Sequence, residues 1–237
     1  MTWSIIAREP ATGRVGIAVA TRFFAVGSRV PHIRTGVGAV ATQATVNQSY
    51  GPLGLDLLAD GLNAEETIVR LTAAEAGRDH RQVHAMDRQG QFAAFTGSAC
   101  IDWCGHVIGE DFSIAGNMLA GPDVIAATAE TFRRRSDLPL ARRLIAALHA
   151  GESAGGDKRG KQSAALLVHD GEEFPIYDIR VDDHANPLAE LERLHSVARE
   201  RFVHFRRRMP SRENPAGVTD RSDLEDFIAR SIAEGYE

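Results

Sequence analysis

Apolar residues in this chain repeat with period 2 in some blocks and near 3.6 in others, and the blocks are grouped rather than alternating. That grouping limits the fold more than any other feature. Residues 2–8 (TWSIIAR) open at once as a β-rich run. Pro10, Thr12 and Gly13 supply a turn, and residues 15–21 (VGIAVAT) return as a second strand. Residues 37–45 (VGAVATQAT) form a third or fourth, whose small and β-branched side chains suit burial on both faces.

Then the period changes. Leu53, Leu55, Leu57, Leu58 and Leu62 read as a helix, and Asn63 with Glu66 forms a capping box that opens a second one to about residue 76. Strands resume at 82–87 and 92–96 around the turn Arg88-Gln89-Gly90, then near 106–108 and 112–119. Pro122 starts a helix to about 135, and 138–150 is another, ended by Gly151. Strands at 162–168 and 176–181 precede a helix over 187–205, with Leu188, Leu191, Leu194, Ala198, Phe202 and Phe205 on one face. Pro210 and Pro215 then mark a linker to a short helix capped by Ser222 and Glu225, with the apolar stripe Leu224, Phe227, Ile228 and Ile232.

Strands, two helices, four strands, two helices, two strands and a helix imply an α+β fold. Two stacked, mainly antiparallel sheets with helices outside, a four-layer α-β-β-α sandwich, account for the order. The missing β-α-β alternation argues against a dinucleotide-binding sheet. One domain over residues 1–206 is expected, with 207–237 as linker and docking helix. The stripe on that helix suggests a homo-oligomer.

Composition removes other classes. Hydrophobic residues make up 43% and charged residues 25% of the 237, which suits a packed core rather than disorder. The net charge is −5 without a basic face, so nucleic acid is not an expected partner. No apolar run approaches ~18 residues, and the opening MTWSIIAREP lacks the n- and h-regions of a leader, so a cytoplasmic, non-membrane protein is expected. Cys100 and Cys104 are then reduced thiols, since neither zinc nor redox spacing is present.

Several local motifs point further. They are Thr2-Trp3-Ser4-Ile5, Gly38-Ala39-Val40-Ala41-Thr42-Gln43-Ala44, Asn47-Gln48-Ser49-Tyr50-Gly51-Pro52 and Ala94-Phe95-Thr96-Gly97. Further on come Gly116-Asn117-Met118-Leu119-Ala120-Gly121, the ten residues from Gly155 to Ala164, and Arg180-Val181-Asp182-Asp183-His184. Collinear over about residues 2–195, they resemble the bacterial domain-of-unknown-function family 1028. The resemblance places the chain in the N-terminal-nucleophile hydrolase superfamily, which includes proteasome β-subunits. It implies a hydrolase of a small amide or peptide-like bond, acting on a small-molecule substrate without a cofactor.

With Met1 removed, Thr2 offers a hydroxyl and an α-amine on one residue. The amine's pKa of ~7.7–8.0 suits a general base. The proteasome branch supports its threonine with a lysine, whereas the first lysine here is Lys158. Arg22 is the expected cationic neighbour, able to lower the amine's pKa but not to shuttle a proton. Asn47 is a candidate oxyanion donor and Tyr50 a substrate contact; the other reading of Asn47 is a turn that binds its own backbone. Lys158 and Arg159 in the glycine-rich loop could hold an anion, or form a solvated turn. Arg180, Asp182 and His184 sit at a strand end and suit substrate binding. Asp182, Asp183 and His184 could in principle hold a metal, but neighbours on a strand point to opposite faces, so none is expected. The alternative function is a protein that keeps the fold for ligand binding or scaffolding without chemistry.

Overall fold

The computed structural model describes residues 2–73 and 75–236, in two compact units, Met1–Leu191 and Glu192–Glu237. The first unit is mixed α/β with two antiparallel sheets. Six strands form one: β1 (Thr2–Glu9), β2 (Arg14–Thr21), β7 (Gly105–Ile108), β8 (Phe112–Asn117), β9 (Ser163–His169) and β10 (Tyr177–Val181), in the order β10-β9-β2-β1-β8-β7. The other runs β3 (Pro31–Arg34), β4 (Gly38–Ala44), β5 (Arg81–Met86) and β6 (Phe92–Thr96) in chain order. Helices α1 (Tyr50–Ala59) and α2 (Ala64–Ala73) pack on the four-stranded sheet, α1 on β4 and α2 on β5 and β6. Helices α3 (Asp123–Arg134) and α4 (Leu140–Ser153) pack on the six-stranded one, α4 on β1 and β2 and α3 on β8.

Ile6, Ile17 and Val19 of the larger sheet form one buried cluster with Ala39, Ala41 and Met86 of the smaller. Side chains alternate across a strand, so Thr2 and Ser4 share the inward face of Ile6, while Trp3 and Ile5 point to the other side. The central strand is therefore buried on both faces; Trp3, Ser4, Ile5 and Ile6 are at most 2% exposed.

The capping box expected at Asn63 forms: Asn63 N–H donates to Glu66 Oε2 and Glu66 N–H to Asn63 Oδ1, both at 2.9 Å. Gly151 does not end its helix, as α4 continues to Ser153. A Cβ at Gly151 would lie 2.4 Å from Thr128 Oγ1 and 2.9 Å from Trp3 Nε1, so this glycine allows close packing rather than a stop. The long helix expected to 205 breaks at Arg201, giving α5 (Pro187–Glu200) and α6 (Phe202–Arg206).

In the second unit α6 packs with α7 (Leu224–Ala233). The expected Ser222–Glu225 box does not form. Asp220 takes the Ser222 N–H and hydroxyl, and the Arg201 guanidinium grips the Glu225 carboxylate at 2.6 and 2.7 Å. Leu224 and Ile228 are buried and Ile232 is exposed, so the apolar stripe is largely occupied within the chain.

Candidate functional site

Antiparallel pairing brings the start of β1, the end of β2, the start of β9 and the end of β8 to one end of the larger sheet. Thr2 pairs with Asn117, Trp3 with Ala20 and Thr21 with Ser163. Asn117, Thr2, Thr21 and Ser163 thus form a polar row on the inward face, each at most 7% exposed. The Thr2 and Thr21 hydroxyls meet at 3.1 Å. The Thr2 carbonyl accepts from Gln43 Nε2 and Asn117 Nδ2, each at 3.4 Å.

Behind this row lies a buried polar network between the sheets. Gln43 Nε2 faces Gln82 Oε1 at 2.8 Å and the Ala115 carbonyl at 3.0 Å. Gln82 Nε2 faces the Gly116 carbonyl at 2.8 Å, the Gly105 carbonyl at 3.1 Å and Thr96 Oγ1 at 2.9 Å. Asn117 Nδ2 adds a bond to Gln82 Oε1 at 3.0 Å. Carbonyl oxygens only accept, so they fix which end of each amide is nitrogen. The rest follows in sequence. Ser4 Oγ donates to Gln43 Oε1 at 2.7 Å, so it must accept from His84 Nε2–H at 2.9 Å. His84 Nδ1 is then the acceptor for the Ser113 hydroxyl at 3.0 Å. His84 is locked as the neutral Nε2–H tautomer.

That tautomer excludes a serine–histidine dyad. The Ser4 proton already points at Gln43, His84 Nε2 has no free lone pair, and neither residue is accessible to a substrate. Burial, and then the His106 charge, push the His84 pKa down to about 3. The unfolded chain takes up a proton at pH ~6.5 that the folded chain refuses until far lower pH. Stability is therefore complete above pH ~6.5 and falls by up to ~1.4 kcal/mol per unit as pH drops towards 3. Urea unfolding across that range should show the slope in wild type and lose it in His84→Gln; equal slopes would refute the assignment.

The glycine-rich loop turns on itself. The Asp157 carboxylate accepts Arg22 N–H at 2.7 Å and Arg159 N–H at 2.8 Å, and pairs with the Arg159 guanidinium at 3.2 Å. At these two amides the chain supplies its own anion. Arg22 does not direct its guanidinium at the Thr2 hydroxyl but donates to the Arg159 carbonyl. Lys158 donates to the Asp102 carbonyl at 2.7 Å. The loop and Thr21 line a small cavity of about 110 Å³ with Trp3 and Lys161.

Arg180 lies 3.7 Å from Asp178, and the Asp182 carbonyl accepts Ala25 N–H at 3.0 Å. His184 N–H donates to the Gln162 carbonyl at 2.8 Å, and its Nδ1 accepts Asn186 N–H at 3.0 Å. Gln162 N–H in turn donates to the Thr21 carbonyl, which ties this turn to the row of Thr2. Among the described residues no group of three His, Cys, Asp or Glu could hold a metal. Cys100 and Cys104 are free thiols, both pushed up by burial.

Asn47 and Tyr50 follow β4 and open onto a different space. Asn47 Oδ1 accepts Ser49 N–H at 3.1 Å, which is the turn geometry. Tyr50 donates to Glu75 at 3.1 Å, and Glu75 is gripped by Arg81 at 2.9 Å. Burial first, then Glu75, push the phenol up to about 12. With Leu53 and Leu57 they line a groove of about 510 Å³ along α1 and α2. Thr2, Arg22, Lys158, Arg159, Arg180, Asp182 and His184 therefore border one strand-end region, and Asn47 and Tyr50 another. Met1, whose loss the Thr2 chemistry requires, lies outside the described residues.

No curated protein matches the chain. A crystal structure of a protein from Silicibacter pomeroyi, assigned to the family DUF1028, is 37% identical, with a TM-score of 0.87 over 93% of this chain and 96% of that one. The ancestral β-subunit Anbu from Yersinia bercovieri aligns over 82% of this chain and 96% of its own at 13% identity, with a TM-score of 0.39. No helix of the described residues is long and apolar enough to cross a membrane. The model of a family of unknown function, DUF1028, matches residues 2–191, and the chain belongs to that family.

Proposed function

We propose that this chain is an amidohydrolase of the N-terminal-nucleophile type, its sheets and outer helices forming the four-layer α-β-β-α sandwich of that superfamily. One observation carries the reading. Thr2 is the first residue of the central strand, with its hydroxyl on Thr21 and its carbonyl held by two buried amides. A nucleophile needs a fixed position and a nearby base. The row supplies the position, and the Thr2 α-amine, once Met1 is removed, supplies the base.

In the reaction the amine takes the hydroxyl proton while Oγ1 attacks the amide carbonyl. The resulting ammonium gives its proton to the leaving nitrogen as the C–N bond breaks and an ester forms. Water then attacks that ester, its proton passing to the amine, and the acid leaves as Thr2 is restored. Arg22 acts at one remove, positioning the Asp157 loop.

Intact mass of the protein from its native host should show loss of one methionine. Incubation with a β-lactone should then add one acyl group, mapped to residue 2 by peptide sequencing. Retained Met1, or acylation elsewhere only, would overturn the reading. The Thr2 hydroxyl meets another hydroxyl, that of Thr21, rather than a charged group, and this observation favours a second reading, a ligand-binding protein without chemistry. Those same two results would support it.

A further inference from the structure

Resting on that reading of Thr2, we propose that the loop 22–29 is the specificity wall of the site, selecting a substrate that carries an aromatic or bulky apolar group next to a carboxylate. Phe23 and Phe24 are 51% and 56% exposed. Thr21, whose hydroxyl touches Thr2, precedes them directly. A chain spans at most ~3.6 Å per residue, so the Phe23 Cα lies within ~7 Å of the Thr21 Cα. The backbone that carries both exposed rings therefore leaves the strand directly after the Thr2–Thr21 pair.

These rings are not on a loose loop. Arg22 N–H is tied to Asp157, Ala25 N–H to the Asp182 carbonyl, and Ser163 Oγ bridges the Phe23 carbonyl and Val26 N–H. Ala25 is held at φ 55° and ψ 50°, a left-handed conformation that is unfavourable for a non-glycine residue. Backbone fixed at that cost, displaying aromatic rings to solvent, is preorganised for a contact made by something else.

Charge defines the rest of the ligand. The Arg29 guanidinium lies 5.6 Å from the Phe23 ring centre, within cation–π range. Among the described residues it has no carboxylate partner, and its Nε is buried without an acceptor. A ring stacked on Phe23 and Phe24 would bring a carboxylate on the same molecule to Arg29.

The test is binding, which does not require turnover. Ligand-observed NMR titrations would compare N-acetyl-phenylalanine, its neutral amide and N-acetylglycine. Wild type should bind N-acetyl-phenylalanine at least ~10-fold more tightly than either of the others. Phe23→Ser/Phe24→Ser should lose the preference for the ring, and Arg29→Gln the preference for the carboxylate. Thr2→Ala should keep both, so failure of the hydrolase reading leaves this result intact. Equal binding of the three probes, binding of none, or unchanged preferences in the variants would overturn the proposal. So would a wild-type dimer by light scattering that the double serine variant dissolves, since a second copy would then cover the rings.

Discussion

Gln82→Leu is expected to lower the melting temperature by roughly 10 °C or more, although the new side chain is apolar and of similar size. Gln82 is completely buried and joins both sheets through five neighbours: Gln43, Thr96, Gly105, Asn117 and Gly116. Leucine leaves one proton on Gln43, one on Asn117 and the carbonyl oxygens short of partners. An unsatisfied buried group costs ~1–3 kcal/mol, so the four of them together cost at least ~4 kcal/mol. For a chain of this size, each kcal/mol shifts the melting temperature by ~2–4 °C. The network also predicts non-additivity. Gln43→Leu, Gln82→Leu and the double variant should show a coupling of at least ~1 kcal/mol, because both residues hold the same bond. A loss below ~3 °C in scanning calorimetry, with additive single variants, would mean that the amides are not joined as the geometry has them.

This network marks the boundary of what one sequence can disclose. The strands themselves were plain except β3, whose four residues were not located. Residues 92–96 match β6 completely, and most other strand ends shift by one or two positions. The amides were not, because a polar residue at every second place of a strand reads as a solvent-facing row. Gln82 and His84 on β5, or Thr2 and Ser4 on β1, have that spacing, yet both faces of these strands are covered. Period alone gives a side chain's face and not what lies opposite it. Asp157 shows the same limit: its loop was recognisable as glycine-rich and charged, but its role as the loop's own anion depends on Arg22, 135 positions away. Among the candidate site residues, Thr2 was singled out by its position and chemistry together with the family resemblance. Asn47 and Tyr50 were grouped with it by motif, whereas the fold opens them onto the α1–α2 groove.

If Thr2 is the nucleophile, Thr2→Ala should abolish amide hydrolysis by a factor of roughly 1,000 or more. Ser4 is sealed in the network, and Thr21, as a mid-chain residue, carries its hydroxyl without an α-amine of its own, so neither reproduces the pairing of hydroxyl and amine on one residue. Thr2→Ser keeps both the hydroxyl and the amine and should retain activity within ~100-fold. The pH profile separates this mechanism from one that uses a side-chain base. A base must be unprotonated to act, so kcat/KM should rise with pH through an apparent pKa near ~8, the range of an α-amine. Thr2→Ser should keep that profile at a lower plateau. Folding offers the control, because alanine at position 2 removes only the hydroxyl contact with Thr21, worth ~1 kcal/mol, and leaves the Thr2 carbonyl on Gln43 and Asn117. Thr2→Ala should therefore melt within a few degrees of wild type while losing its chemistry. A variant that still cleaves N-acyl amides at the wild-type rate would remove Thr2 from the mechanism, and the polar row would then be explained by its packing alone.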